Sequence, residues 1–441
     1  MFKTLINAFK IKEIRLKLLF TLGMLFVIRF GSQLPVPGVD IKQFTAWFNA
    51  KVNSADTSGF LGAFTGGSFE NMSILALNIT PYITSSIIMQ LLTIAIPKLE
   101  EMQRDGEDGR KKIAAITRYV TVGLALIEST AMAIAFNSSN MLSGGGFLDI
   151  ITVIVTLTAG SAFLMWVGEQ ITEHGVGNGI SIVLVINIIS RVPSDIASLF
   201  EQFVLVEGKP VAVKIVAALI IIAIIVAIVV LVIILSDAVR KIPVQYAKKM
   251  QGRRMVGGNS SSIPLRVNTS GVIPVIFASS LLQLPVIICN FFNVRTSGFW
   301  AHVLRALSSS NWVKPKEPLY SIGLLIYIAL VIAFAYFYTS ITFNPMEVAE
   351  NLKKSGGFIP GIRPGKPTTE YLTKILNYIV FIGAVGLTIV CVIPYVFNGI
   401  FGAQVSFGGT SLIIIVSVII ETIKQVESQM LVRNYKGFLN D

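Results

Sequence analysis

A polytopic α-helical membrane protein is the fold class this sequence predicts, and three observations carry the prediction. Hydrophobic side chains make up 53% of the 441 residues and charged ones only 14%, with a mean hydropathy of +0.73. A soluble chain of this size carries nearly twice that charge. The apolar residues also come in long runs: "VAVKIVAALIIIAIIVAIVVLVIIL" (211–235) holds a single charge, Lys214, near one end. About 20 helical residues cross a hydrocarbon core ~30 Å thick, and a run that is apolar all round is no surface helix. Finally, Lys and Arg alternate between rich and poor connecting segments along the chain.

Ten apolar segments follow in order, near 18–36, 72–96, 114–136, 148–168, 180–200, 211–235, 270–290, 319–342, 373–395 and 409–427. The first is preceded by "MFKTLINAFKIKEIRLKLLF". That stretch is too basic over too long a length for a removable signal peptide and lacks a small-residue cleavage site, so it reads as an amphipathic cytosolic lead-in. Arg29 lies in the first span and Glu128 in the third. Spans two and seven each contain a proline, in "NITPYITSSIIMQLL" (78–92) and "GVIPVIFASSLLQLP" (271–285). Between spans four and five, "GVGNG" (175–179) reads as a tight turn, because no strand precedes it as a phosphate loop would require. Span five is weakened by Asn187 and Arg191, and span ten ends among Glu421, Lys424 and Glu427, placed to snorkel. Cys289 and Cys391, at the ends of apolar runs, read as small buried hydrophobes.

An even number of spans puts both termini on one side. With both inside, the inner segments hold 26 of the 36 Lys and Arg residues and the outer ones nine, Arg29 being within a span. The positive-inside rule therefore predicts N-in, C-in. The opening stretch, "PKLEEMQRDGEDGRKKIAAITRY" (97–119) and "DAVRKIPVQYAKKMQGRRMVGGNSSSIPLRVN" (237–268) form basic cytosolic surfaces. Each is either a topology determinant or a docking surface for anionic headgroups, nucleic acid or an acidic protein. Three on one face, shaped by Gly and Pro, favour a large partner. A fourth, "KKSGGFIPGIRPGKPT" (353–368), has the glycines and prolines of a shaped, helix-free hairpin.

The two proline motifs share a pattern, with Ile two residues after the Pro, then a Ser pair, then Gln-Leu. They lie five spans apart and run in opposite directions, which suggests an inverted five-plus-five repeat with its site between the halves. The loop before span two ends in "TSGFLGAFTGGSFEN" (57–71), too short to span yet apolar enough to bury. It is either a short movable element tucked into the protein or an ordered surface loop. Enzyme chemistry is missing: His174 and His302 stand far apart without metal-ligand spacing, and no GxxxxGK[ST], HExxH or GxSxG occurs. A secondary transporter of small solutes is compatible with an inverted repeat, but such proteins use several intramembrane carboxylates, and this chain offers few.

At "FGSQLPVPGVD" (30–40), "NITPYITSSIIMQLL", "DGEDGRKKIAAITRY" (105–119), "MWVGEQITEHGVGNGISI" (165–182), "GVIPVIFASS" (271–280) and "NPMEVAENLKKSGGFIPGIRPGKPTTEYL" (344–372) the chain resembles the SecY family of protein-conducting channels. The match runs through nearly the whole sequence in order and spacing. The resemblance implies ten transmembrane helices in two pseudo-symmetric halves, 1–200 and 201–441, around a central hourglass pore. Unfolded secretory proteins would pass through it, and hydrophobic spans would leave sideways into lipid. It implies a pore ring of Ile79, Ile83, Leu184, Ile188, Ile276 and Ile414, of which Leu184 departs from an all-isoleucine ring. Ile79/Ile83 and Leu184/Ile188 are i,i+4 pairs that share a helix face. It implies a plug at about 57–67, including Gly59, Phe60, Leu61, Gly62, Phe64, Gly66 and Gly67, and a lateral gate with Gln90, Ser280 and Glu128. Docking of SecA ATPase or the ribosome would use Arg363, Lys353, Lys354, Arg253, Arg254 and Arg110, within cytosolic loops near 236–268 and 342–372 for all but the last. SecE and SecG would complete the complex; signal sequences, nascent polypeptides and membrane lipid would be its ligands, with no DNA, cofactor or metal, in a bacterial cytoplasmic membrane.

Overall fold

The computed structural model describes residues 9–52, 67–138, 141–142, 146–204, 211–246, 249–251, 254–256, 260–291, 298–308, 311–313, 318–401 and 409–437. Each of the ten apolar segments contains a helix. In chain order the α-helices are α1 (Lys12–Gly31), α2 (Ile41–Val52), α3 (Thr80–Ala95), α4 (Pro97–Arg104), α5 (Glu107–Ser138), α6 (Phe147–His174), α7 (Gly179–Phe203), α8 (Val211–Asp237), α9 (Ile273–Phe291), α10 (Phe299–Leu307), α11 (Ile322–Thr342), α12 (Pro345–Lys354), α13 (Lys366–Phe401) and α14 (Gly409–Gly437). Among the described residues, six helical stretches, on α5, α6, α7, α8, α11 with α12, and α13, are long and apolar enough to cross a membrane. The bent pair α3–α4 makes a seventh if it is one span.

Local sequence accounts for the breaks. Pro81 occupies the first turn of α3, where a missing N–H costs nothing, and Pro274 is the second residue of α9. Pro81 and Pro274 thus start their helices rather than interrupt them, while Pro285 lies inside α9. The chain before α3, from Met72 to Ile79, is irregular, with Met72 at φ 43° and Asn78 at φ 54°. Pro97 forces the preceding Ile96 into an extended conformation, and α3 and α4 meet at 106°. Gly177 takes φ 83° in the turn between α6 and α7, and the Asn178 side chain accepts hydrogen bonds from the N–H groups of Ile180 and Ser181 as the N-cap of α7. "GVGNG" is therefore the tight turn expected.

Two sets of helices form, one packed through α3–α5, α5–α6 and α6–α7, the other through α8–α14, α9–α11 and α11–α13. Helices α7 and α14 pack against each other across the two sets. Hydroxyl pairs stitch the first set: Ser85 on α3 with Thr121 on α5, and Ser129 on α5 with Thr158 on α6 at 2.9 Å. Lys424 on α14 reaches Asp237 at the end of α8 at 2.6 Å, so its charge is paired rather than merely snorkelling. The basic segment 237–268 folds into strands β1 (Val239–Tyr246), β2 (Lys249–Gln251), β3 (Arg254–Val256) and β4 (Ser260–Arg266). β1 pairs antiparallel with β4 and, on its other edge, with β5 (Gly357–Phe358). The sheet has its own apolar core of Ile242, Val244, Leu265, Leu352, Ile359 and Leu372.

Candidate functional site

The two i,i+4 pairs and the two single isoleucines converge. Ile79 caps the start of α3 and Ile83 lies one turn on; Leu184 and Ile188 come from α7, Ile276 from α9 and Ile414 from α14. All six belong to one aliphatic cluster, shared with Ile28, Leu75, Leu164 and Val418. Ile79, Leu184, Ile188, Ile276 and Ile414 are buried and Ile83 is half-buried. Four helices, two from each set, thus meet through side chains that carry no donor or acceptor.

Polar groups border this neck. Asn187 Nδ2 donates to Asn78 Oδ1 at 2.9 Å, beside Ile188 and Ile79 in sequence. One turn further along α7, Arg191 Nη1 donates to Glu70 Oε1 in an ion pair. Glu70 and Asn78 both lie on a strap, residues 67–79, which enters α3. Its other edge is held by backbone bonds, Val36 N to Met72 O at 2.9 Å and Ile74 N to Leu34 O at 2.8 Å. Phe69 stacks edge-on against Phe44 of α2 at 5.8 Å, and Phe44 against Phe136 of α5 at 5.6 Å. The sequence marked Asn187 and Arg191 as flaws in a span; their partners Asn78 and Glu70, far away in the chain, carry no local signal.

The arrangement has counterparts among known proteins. The SecY family profile matches residues 73–423. The chain belongs to the SecY family. Among curated relatives, the protein translocase subunit SecY of Streptomyces scabiei is 42% identical over 450 residues, covering 98% of each chain. That of Bacillus licheniformis is 42% identical over 448 residues and 100% of each. Among solved structures, one titled "The structure of a protein conducting channel" shares the fold with a TM-score of 0.60, at 18% identity over 94% of this chain and 92% of that one. Sec61 in the canine ribosome-channel complex gives a TM-score of 0.55, at 18% identity over the same shares.

The remaining SecY-family positions are placed unevenly. Of the plug candidates, Gly67 is described, at φ 83°; Gly59, Phe60, Leu61, Gly62, Phe64 and Gly66 lie outside the described residues. Gln90 is exposed on α3, Glu128 half-buried on α5 and Ser280 half-buried on α9, and α5 touches α9. The structure places the three on neighbouring helices; none makes a hydrogen bond among the described residues. Lys353 and Lys354 form the last turn of α12, and Arg363 is exposed in the hairpin that follows. That hairpin is helix-free, with Gly356, Gly361 and Gly365 at positive φ. Arg110 is exposed in the first turn of α5; Arg254 is in β3, and Arg253 lies outside the described residues. The β1–β5 pairing binds the 237–268 segment to the hairpin carrying Arg363, while Arg110 stands on a different element.

Proposed function

We propose that the chain is the channel subunit of a protein translocase, passing unfolded secretory proteins across the membrane and releasing hydrophobic spans sideways into lipid. The convergence of six aliphatic side chains from four helices carries this reading, together with membership of a family whose curated relatives are translocase subunits. A channel for polypeptides must admit varied side chains yet not leak ions at rest. A short aliphatic neck does both: it dewets, and it offers no polar groups to replace an ion's hydration shell. Family membership sets aside the solute-transporter reading and any enzymatic one.

In this reading the 57–67 segment is a plug, and α3 and α9 line a lateral gate bearing Gln90 and Ser280, with Glu128 next to it on α5. A polar contact across a lipid-facing seam holds it shut by only about 1–2 kcal/mol, which an entering hydrophobic signal sequence can outweigh. SecE and SecG complete the complex. SecA ATPase or the ribosome docks on the basic face formed by the β-sheet and hairpin; that solved structures of the same fold are ribosome complexes supports a ribosome as partner. The test is reconstitution of the purified complex in vesicles with SecA, ATP and a signal-bearing precursor. Protease-protected precursor is the expected result. Its absence, with an active control channel alongside, refutes the reading.

A further inference from the structure

The strap 67–79 is tied to α7 at two points, and both ties sit against the neck. Asn78 precedes Ile79 and Asn187 precedes Ile188, so the Asn78–Asn187 bond joins the two backbones at positions next to two members of the aliphatic ring. Both amide side chains are buried, at 1% and 2% exposure. The Glu70–Arg191 pair repeats the link one turn on, three residues from Gly67. The strap also bends through Met72 and Asn78 at positive φ. Non-glycine residues hold that conformation only where their surroundings impose it.

We infer that Asn187 and Arg191 are positioning residues for the resting seal: they hold the strap, and with it Ile79 and the end of the segment at Gly67, in register with Ile188. The inference rests on the reading of the aliphatic ring as the channel constriction. Aliphatic surfaces slide past one another at little cost. Separating the strap from α7 instead breaks a hydrogen bond between two buried amides and a half-buried ion pair, and buried polar groups are costly to strand. The two links therefore turn a sliding contact into a latched one. Asn187 Oδ1 and Arg191 Nε are buried without hydrogen-bond partners among the described residues. Such imperfect satisfaction is a poor device for stability alone and suits a link that has to open.

The test compares resting ion conductance of the assembled channel complex in planar bilayers, with the thermal midpoint of each purified complex. The variants are Asn187→Leu, Arg191→Gln, the double reversal Glu70→Arg with Arg191→Glu, and Ile83→Gly as a control for the constriction itself. The expected result is a several-fold rise in conductance for both single variants, with a midpoint lowered by the partner groups they strand, and a return of conductance and midpoint towards the wild-type values in the double reversal. Asn187→Leu and Arg191→Gln channels that seal like wild type while Ile83→Gly leaks overturn this inference alone. A leak that the double reversal fails to relieve also overturns it, since it marks general loosening. An Ile83→Gly channel that stays sealed overturns the constriction reading and this inference with it.

Discussion

At the scale of single residues, the neck itself is filled by side-chain volume, and the polar groups that position it stand at its border. Ile276 is buried among aliphatic neighbours from three other helices. Replacing it by Gly removes the whole branched side chain and widens the constriction, and a wider aliphatic neck no longer gates by dewetting. Ile276→Gly is expected to raise resting ion conductance in bilayer recordings; Ile276→Leu, which nearly conserves volume, is expected to leave it unchanged. A different residue-scale claim concerns the α6–α7 turn. Asn178 satisfies two N–H groups that begin α7, the helix carrying Leu184 and Ile188. Asn178→Ala is expected to cost about 1 kcal/mol, seen as a lower thermal midpoint of the complex. Asn178→Asp is expected to retain the cap.

At the scale of elements, helix α6 and the strap meet without a side chain between them. A Cβ built on Gly160 would stand 2.0 Å from the carbonyl oxygen of Ile74, so backbone must shift to admit one. Gly160→Ala is thus expected to push the strap off α6, lowering the thermal midpoint and raising the resting leak. Gly123→Ala, in open space on α5, is expected to leave the leak unchanged and to raise the midpoint slightly, since Ala favours a helix over Gly. The contrast shows what the sequence made legible. Apolar run length marked ten segments, each of which contains a helix, and six of the helical stretches, or seven with the bent pair, are long and apolar enough among the described residues to cross a membrane. The i,i+4 spacing of Ile79/Ile83 and Leu184/Ile188 placed each pair on one face. The family motifs, not periodicity, singled out Ile276 and Ile414. Two features escaped. The strap is irregular and held by Asn187, Arg191 and residues 34–36, all distant in the chain. Strands β1 and β4 sit in a basic loop whose charges were legible but whose pairing register was not, and helix α2, although capped by Asp40, looked like part of a loop.

At the scale of the molecule, the basic face is one built unit. Strand β1 bonds to β4 on one edge and to Gly357–Phe358 on the other, so the loop after α8 and the loop after α12 cannot move independently. Gly357 has no room for a side chain there, its Cβ position lying 2.9 Å from the Tyr246 ring. The sheet in turn packs through Leu352, Ile359 and Leu372 onto α12 and α13. A partner gripping the hairpin therefore pulls on α13 through a continuous apolar core. Arg363 is the exposed cation of that hairpin, and its carbonyl accepts from Thr368 Oγ1 at 2.9 Å, a bond indifferent to the side chain. Charge reversal at this position should leave the hairpin folded while repelling the carboxylate or phosphate that a guanidinium fork binds. Arg363→Glu is expected to abolish SecA-driven import of a precursor into vesicles, with membrane insertion and thermal midpoint unchanged. Arg363→Lys is expected to retain only part of the activity, because an ammonium keeps the charge and loses the bidentate geometry. An Arg363→Glu channel that translocates at the wild-type rate would reduce the hairpin's charge to a topology signal, and the docking site would then have to lie elsewhere on the face, with Arg110 on α5 the next residue to reverse.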